Sequence, residues 1–455
     1  MAVQRRIDVS LESVRRLMRM GATPNLLNLL QKQHPADLAQ IFAELPEKDR
    51  HAAFNTLVEK NGKLAMEALS ELGPEKGGEL LSLRSAEEIA RLSQEVASDD
   101  AAALIETLSD ELRTSVLQLI RPKPGGGGVS ELLEYDERTA GRLMNPHVFA
   151  LSEELTAGEA ITALQGARDV EMVFYLYVVD ERRHLVGVVS LRRLLLVPPD
   201  TPLKRIMTTD VYSARVDVDQ EEVASQVASY NLLAIPVVDA ENKLTGVITV
   251  DDVIDVIKDE ATEDVYRLAG VSAEDGVSTP PGESIRRRLP WLTVNLFTAF
   301  AAASVVGLFS DTIDQIVSLA VLMPVVAGMA GNAATQTLAV IVRGLSLGEL
   351  TFSNARKALV KESLVGLGNG LALGVLAALG AWAMRGDPWI GVLLGVALLI
   401  NMFVATTAGT LIPLGLRALK IDPALASSVF ITTLTDAVGF LVFLGLATLF
   451  LQQLL

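Results

Sequence analysis

The sequence contains no cysteine and only four histidines. Without cysteine there are no disulfides, no thiolate zinc sites and no cysteine nucleophile. His34, His51, His147 and His184 are scattered and unclustered, so any bound metal falls to oxygen ligands. A phosphate-cradling G-x-x-x-x-G-K-S/T string is absent, which argues against ATP hydrolysis. No cleaved signal is expected, because Arg5 and Arg6 lead into an amphipathic helix pattern with Leu11, Val14, Leu17 and Met18 inward, not into an apolar run. Positive charge is scarce outside the last third. Residues 285 to 455 hold seven acids and ten lysines plus arginines, which leaves 48 acids against 29 bases, a net of −19, in residues 1 to 284. That balance excludes nucleic acid as a partner, since affinity for a polyanion comes from Lys and Arg neutralising phosphates. Cations are the natural partners.

Long hydrophobic runs are plentiful, but only in the basic third. Five apolar stretches, Trp291 to Phe309, Ile316 to Val342, Leu364 to Met384, Ile390 to Pro413 and Ala424 to Leu451, are each long enough for a helix to cross ~30 Å of hydrocarbon. Arg286, Arg287, Arg288, Arg343, Arg356, Lys357, Lys361, Arg417 and Lys420 all flank them on one side, with Asp311, Asp314 and Arg385 on the other. By the positive-inside rule the large N-terminal portion is cytoplasmic, and five spans put the C-terminus outside.

The acidic portion contains two internal repeats. LYVVDERRHLVGVVSLRRL from Leu176 recurs without a gap as IPVVDAENKLTGVITVDDV from Ile235, an offset of 59. Each copy reads as strand, turn, strand, helix, and Arg142-Leu143-Met144 is echoed upstream by Arg205-Ile206-Met207. The pattern resembles a tandem pair of CBS domains. A fainter helical repeat sets Asp37, Ile41, Leu45, Arg50 and Leu57 against Asp100, Leu104, Leu108, Arg113 and Ile120, which suggests a superhelical stack of short helices. Pro122, Pro124 and Gly125 to Gly128 then mark a hinge. The expected organisation is multidomain: an all-α N domain and hinge over 1–128, an α/β CBS pair over 129–258, an acidic connecting helix and linker over 259–285, and a transmembrane domain of five spans over 286–455.

Asp436 is the only ionisable residue inside any of the five stretches, ~18 Å along the last one at 1.5 Å per residue. An acid at a helix centre costs about 2.5 to 3.5 kcal/mol on insertion scales, so it should face a wet cavity or a partner. Thr432, Thr433 and Thr435 could hold it structurally, but a cation pathway is the better reading. In the second span, MPVVAGMAGNAATQT from Met323 places Pro324, Gly328, Gly331, Asn332, Thr335 and Gln336 inside a nominal membrane helix. Pro324 is expected to break the helix and expose carbonyls to ions. Asn401, Thr406, Thr407 and Thr410 in the fourth span are expected to bridge helices. One acid per protomer suits Mg²⁺, which keeps several waters and meets one or two carboxylates, and a twofold dimer would bring two Asp436 side chains to one axis. After the second repeat, Asp251, Asp255, Asp259 and Glu263 form an i, i+4 column of like charge that is unfavourable unless cations neutralise it; Lys258 and Arg267 are too few to do so.

Over essentially its whole length the chain resembles the MgtE family of magnesium channels. The strings that carry the resemblance are TAGRLM at Thr139, VDDVIDVIKDEATED at Val250, RLPWL at Arg288, PVVAGMAGNAATQ at Pro324 and DPALASSVFITTLTDAVG at Asp422. The resemblance implies a homodimer in a bacterial cytoplasmic membrane, not an enzyme, whose second and fifth spans line a Mg²⁺ pore closed by cytosolic Mg²⁺. It implies a selectivity role for Asp436, a pore mouth at Gly328, Gly331 and Asn332, and further pore lining at Ser428 and Thr432. It carries regulatory Mg²⁺ sites onto Asp219, Asp252, Asp255, Glu260, Glu263 and Asp264, with backbone at Gly141, and less directly onto Asp99 and Asp100. Asn231, Arg193, Ser310 and Ala334 depart from the family pattern. Thr249 and Asp252 form a T-x-x-D pattern that in CBS folds can hold ribose and phosphate, which makes ATP a further candidate ligand; the first copy has Ser190 and Arg193 instead. The alternative is a membrane-bound sensor or scaffold of metal or nucleotide that passes no ions, which leaves Asp436 unexplained.

Overall fold

The computed structural model describes residues 2–120, 128–167, 174–272, 275–277, 279–425 and 428–451, and the side chains of all of these except 2–6, 385, 425 and 428. Of the expected hinge, Pro122, Pro124 and Gly125 to Gly127 lie outside them, as do the final residues 452–455, and only Gly128 is described. The chain divides into two compact units, Met1–Ile257 and Lys258–Leu455.

The first unit opens with short helices: α1 Ala2–Arg19, α2 Thr23–Leu30, α3 Pro35–Glu44, α4 Glu47–Val58, α5 Gly62–Leu72, α6 Pro74–Leu81, α7 Ala86–Leu92, α8 Ser98–Glu106 and α9 Asp110–Leu119. Their apolar faces are short but fully used. Leu38, Ile41, Phe42, Phe54, Leu57, Met66 and Leu69 are all buried, and each such side chain contributes about 1.5 to 3 kcal/mol relative to leaving it exposed. The helical repeat is real in space. Ile41 and Leu104 are core residues of α3 and α8, and Arg50 and Arg113 each reach back to carbonyls at the end of the preceding helix: Arg50 to Phe42 (2.8 Å) and Leu45 (3.2 Å), Arg113 to Glu106 (3.4 Å). Both arginines thus satisfy helix C-termini that the short loops leave open.

Two short helices, α10 Val129–Leu132 and α11 Ala140–Leu143, lead into the α/β pair. The first copy contains β1 Ala150–Ser152, α12 Ala157–Gly166, β2 Tyr175–Val179, β3 Leu185–Ser190 and α13 Leu191–Leu196. The second contains α14 Leu203–Ile206, β4 Ala214–Arg215, α15 Gln220–Tyr230, β5 Ala234–Val238, β6 Leu244–Thr249 and α16 Val250–Leu268. Each sheet has one parallel and one antiparallel pairing, and the antiparallel registers, Tyr175↔Ser190 and Ala234↔Thr249, obey the 59-residue offset, as do the bulges at Val178/Val179 and Val237/Val238. The hairpins turn alike: Asp180 accepts from the Arg182 and His184 amides, Asp239 from those of Glu241 and Lys243, and Arg183 and Asn242 take left-handed φ values of 68° and 65°.

The Arg-x-Met echo has a packing cause. Each copy lends a short segment to the other's sheet, through bridges Asn145↔Val247 and Val188↔Thr208, and the methionine of one copy lies over the glycine of the other. A Cβ on Gly246 would come within 2.6 Å of the Met144 sulfur and 2.8 Å of the Asn145 carbonyl; one on Gly187 would come within 2.7 Å of the Met207 sulfur. The second copy also shares one core with the N-terminal helices, where Ala224, Ile235, Ile248 and Val253 join Leu104, Leu132 and Met144.

The second unit holds the five helices long and apolar enough to cross a membrane: α17 Pro281–Gly307, then, after a short α18 Ser310–Gln315, α19 Ser318–Ser346, α20 Ala355–Arg385, α21 Pro388–Ala418 and, after a 3₁₀ turn at Pro423–Leu425, α22 Ser428–Leu449. The expected break at Pro324 is absent: α19 runs through it without interruption. Proline forfeits one hydrogen bond, to the carbonyl four residues back, and here that is Ala320 in the first turn, where carbonyls are least constrained by the helix before them. Close packing of α20 on α21 depends on glycine, since a Cβ on Gly374 or Gly391 would meet a facing backbone oxygen at 2.7 or 2.5 Å.

Overpacking a core typically costs about 1 to 3 kcal/mol, and the two cross-packed glycines should differ within that range. Gly187→Ala can be absorbed by the flexible Met207, whereas Gly246→Ala also meets the backbone at Asn145. Thermal unfolding of the two variants should show the larger loss for Gly246→Ala; equal losses would contradict the packing described.

Candidate functional site

Candidate site residues fall into two groups, one in each unit. In the second unit, α19 and α22 pack together where their unusual residues lie. Gly331 is buried, and a Cβ on it would stand 3.5 Å from the Thr432 methyl. Gly328, Asn332, Thr335 and Gln336 form one exposed face of α19, and Thr432 and Asp436 of α22 are half-buried. The Ser428 side chain lies outside the described residues. Thr432 and Thr433 donate to the Val429 carbonyl at 3.2 and 2.7 Å, and Thr435 to that of Thr432 at 2.9 Å. Their protons go into their own helix, so these threonines do not hold the acid. Asp436 has no hydrogen-bond or ion-pair partner among the described residues.

Asp436 is not the only acid within a long apolar helix. Glu362, two residues before the sequence-drawn start of the third span, lies inside α20 and is 5% exposed; Thr337 of α19 donates to it at 3.2 Å and Lys361 pairs with it at 2.9 Å. Its flank of basic residues hid it in the sequence. Asn401 is wholly buried and does bridge helices, donating to the Val326 carbonyl of α19; Thr406 and Thr410 are buried on the same helix, and Thr407 meets Ser363 of α20 at 3.1 Å.

The C-terminal half of α16 belongs to this unit. Glu263 pairs with Arg267, which also pairs with Asp422 in the turn before α22, and Ser346 at the end of α19 donates to Asp264 at 3.0 Å. Arg267 therefore pairs with the last member of the acidic column and shares its single charge with Asp422 outside it. Glu260 is half-buried.

In the first unit, the start of α8 faces the start of α16. Asp99 and Asp100 on one side confront Asp251 and Asp252 on the other. Burial, with the neighbouring charges of Asp252 and Asp100, holds the Asp99 carboxyl well above the usual carboxylate range, and one of its oxygens is buried without a hydrogen bond among the described residues. Burial raises Asp100 too, against a hydrogen bond from Ser70, with Asp251 adding to the rise. Asp252 is pushed up to about 6 by burial, opposed by its bonds from Thr249 and reinforced by Asp251 and Asp100. Asp255 is exposed further along α16. Among the described residues no three acidic or histidine side chains stand close enough to hold a metal ion by themselves.

Thr249 and Asp252 form a helix start: the Thr249 amide and hydroxyl donate to Asp252 at 3.2 and 2.6 Å, so the T-x-x-D pattern caps α16, as Ser190 caps α13 by accepting from the Arg193 amide at 3.3 Å. Asp219 caps α15, accepting from Glu221 at 2.8 Å, and pairs through the Thr139 bridge with the segment that holds Gly141. Gly141 donates to Val216 at 2.9 Å, and a Cβ on it would strike the Tyr135 ring at 2.7 Å. Two of the departures have local causes. Asn231 ends α15 in the left-handed conformation (φ 51°), which asparagine tolerates better than most residues. Ala334 is buried, and Gly409 of α21 leaves room for it. Ser310 is the exposed first residue of α18, and nothing in the structure explains the substitution.

The family model described as a divalent cation transporter matches residues 323–446, that of the MgtE intracellular N domain 33–138, and that of the CBS domain 140–200 and 203–259. The chain is 34% identical to the magnesium transporter MgtE of Bacillus subtilis, over 96% of each chain, and 34% identical to that of Thermus thermophilus, over 99% of this chain and all of the relative. The Enterococcus faecalis transporter is 39% identical over 72% of each. A crystal structure of the cytosolic domain of the Mg²⁺ channel MgtE in complex with ATP aligns at TM-score 0.51 and 35% identity, covering 54% of this chain and 99% of that one. The soluble part of a magnesium transporter aligns at 0.50 and 30%, covering 56% and 99%.

The raised Asp252 carboxyl fixes the sign of a pH effect. A carboxyl whose folded value exceeds its unfolded value of 3.8 binds its proton more tightly when folded, so stability is gained on acidification and lost as pH rises through about 6. In a metal chelator, the unfolding temperature of the wild type should rise from pH 7.5 to pH 5, and Asp252→Asn should flatten that slope. Identical slopes would overturn the described confrontation of acids.

Proposed function

The chain belongs to the MgtE family of magnesium transporters, and from this premise we propose that it is a homodimeric, Mg²⁺-selective channel of the bacterial cytoplasmic membrane, closed from inside by Mg²⁺. The observation that carries the reading is a carboxylate, Asp436, without a partner among the described residues, on α22, whose Thr432 packs on Gly331 of α19, in a unit of five membrane-length helices. Gly328, Asn332, Thr335 and Gln336 are costly against lipid, which supports covering them with the second protomer and water. Two Asp436 carboxylates then match the charge of one divalent cation that keeps part of its water shell, with Thr432, one turn before Asp436, as further lining and Ser428 as a candidate from the resemblance alone. The membrane potential, worth about 2.3 kcal/mol per charge per 100 mV, drives the ion inward with the N-terminus cytoplasmic and the C-terminus outside.

Gating follows from the second group of acids. At low cytosolic Mg²⁺, Asp99 and Asp100 repel Asp251 and Asp252, and the acidic surfaces of α16, with Asp255, Glu260, Glu263 and Asp264, and of Asp219 beside Gly141, spread apart. Mg²⁺ bound between them favours the compact, closed form. A ligand shifts such an equilibrium only by its differential affinity, so several ions acting together are needed for a sharp response. ATP is a further candidate ligand, a reading supported by the ATP complex of the 35% identical MgtE cytosolic domain. Asp252, held by Thr249 at the start of α16, is the carboxylate that would meet a ribose in the second copy, whereas the first copy offers Arg193 after Ser190.

Mg²⁺ entry into liposomes containing the purified protein tests both parts. Wild-type flux should be suppressed by internal Mg²⁺, Asp436→Ala should reduce flux to background, and Asp252→Asn with Asp255→Asn should leave flux that internal Mg²⁺ no longer suppresses. Folded, inserted wild type without flux at low internal Mg²⁺ would favour a sensor that passes no ions.

A further inference from the structure

We propose that Asn401 is a positioning residue for the pore carboxylate: it clasps α22 to α19 near the level of Asp436 and so fixes where that side chain stands. The inference rests on the reading of Asp436 as the pore ligand.

Asn401 lies on α21, which contributes none of the candidate pore residues, and is 0% exposed. Its Nδ2 donates to the Val326 carbonyl of α19 at 3.4 Å, a long bond. The same nitrogen fills the notch left by Gly439 of α22, where an added Cβ would come within 2.3 Å of it. The Val326 side chain closes the third side, 3.1 Å from that same point. Val326 is two residues before Gly328, and Gly439 is one turn past Asp436 on the same side of α22. One amide therefore touches both helices that carry the pore candidates, next to the candidates themselves.

Packing alone does not account for an amide here. Asn401 Oδ1 is buried with no hydrogen-bond partner among the described residues, and burying an unmatched carbonyl is unfavourable. Leucine has the same number of side-chain heavy atoms and no such penalty, although its tetrahedral branch is bulkier than the planar amide. What leucine lacks is the donated hydrogen bond to α19 and the flat shape that lets Gly439 approach. The amide thus trades stability for a defined spacing of α22 against α19, and the height of Asp436 follows from that spacing.

The test uses full-length protein in liposomes, with Asp436→Ala in parallel. Asn401→Leu is expected to stay folded and monodisperse, while Mg²⁺ flux falls several-fold, more than any shift in unfolding temperature accounts for, and the ratio of Mg²⁺ to Ca²⁺ entry shifts. Gly439→Ala should lose flux on its own, yet cost much less when added to Asn401→Ala, because the amide it would strike is gone and only the Val326 side chain remains close. Wild-type flux and selectivity in Asn401→Leu would overturn the proposal, as would a flux loss that merely tracks a lowered unfolding temperature. Undiminished flux in Asp436→Ala would overturn the pore reading and this inference with it; flux abolished there but normal in Asn401→Leu would overturn this inference alone.

Discussion

Carboxylates that the chain itself does not neutralise are the constraint on which the rest of the structure depends. Asp436 has no partner among the described residues in a membrane-length helix, and Asp99, Asp100, Asp251 and Asp252 converge where two helix starts meet. Helix N-termini favour negative charge through the amide groups they leave unsatisfied, which explains how each pair of acids is tolerated on its own helix. It does not explain why the two pairs face each other. A charge removed from water stays ionised only if something opposite pays the desolvation, and protons or divalent cations are the counter-charges available to this interface.

In this compact form the surrounding fold brings those charges together against their repulsion. Crossed Gly–Met packing and exchanged bridges make the two α/β copies one body, and the core shared by the second copy and the N-terminal helices holds α8 against α16. Capping by Thr249 orients Asp252 rather than leaving it to rotate into solvent. Repulsion held in this way is a conformational bias that a bound ion can remove, which is what a gate needs.

Much of this was legible in the sequence because it depends on periodicity. The 59-residue offset predicted strand, turn, strand and helix in each copy, and the registers and bulges found in space repeat at that offset; the apolar lengths predicted the five long helices. Contacts between distant residues were not legible. Nothing in sequence separation tells that Asp100 meets Asp251, that Met144 covers Gly246, or that Arg267 reaches Asp422. Glu362 was missed because basic neighbours place it outside a hydropathy window although Thr337 buries it in the bundle. Pro324 misled for a different reason: a proline early in a helix forfeits a single bond, too little to break it.

The continuity of α19 constrains how the proposed pore can select its ion. An unwound second span would have offered rings of backbone carbonyls, which replace the water shell of a cation entering dry. A continuous helix keeps those carbonyls in its own ladder, so the oxygens left for an ion are the side chains of Asp436, Asn332, Thr335 and Gln336 and the waters among them. Such a sparse set suits a small cation that gives up its water reluctantly and penalises one that needs six to eight protein oxygens. Selectivity then rests on the width of a hydrated passage rather than on close coordination, and the width is set by the helices that hold Asp436 in place.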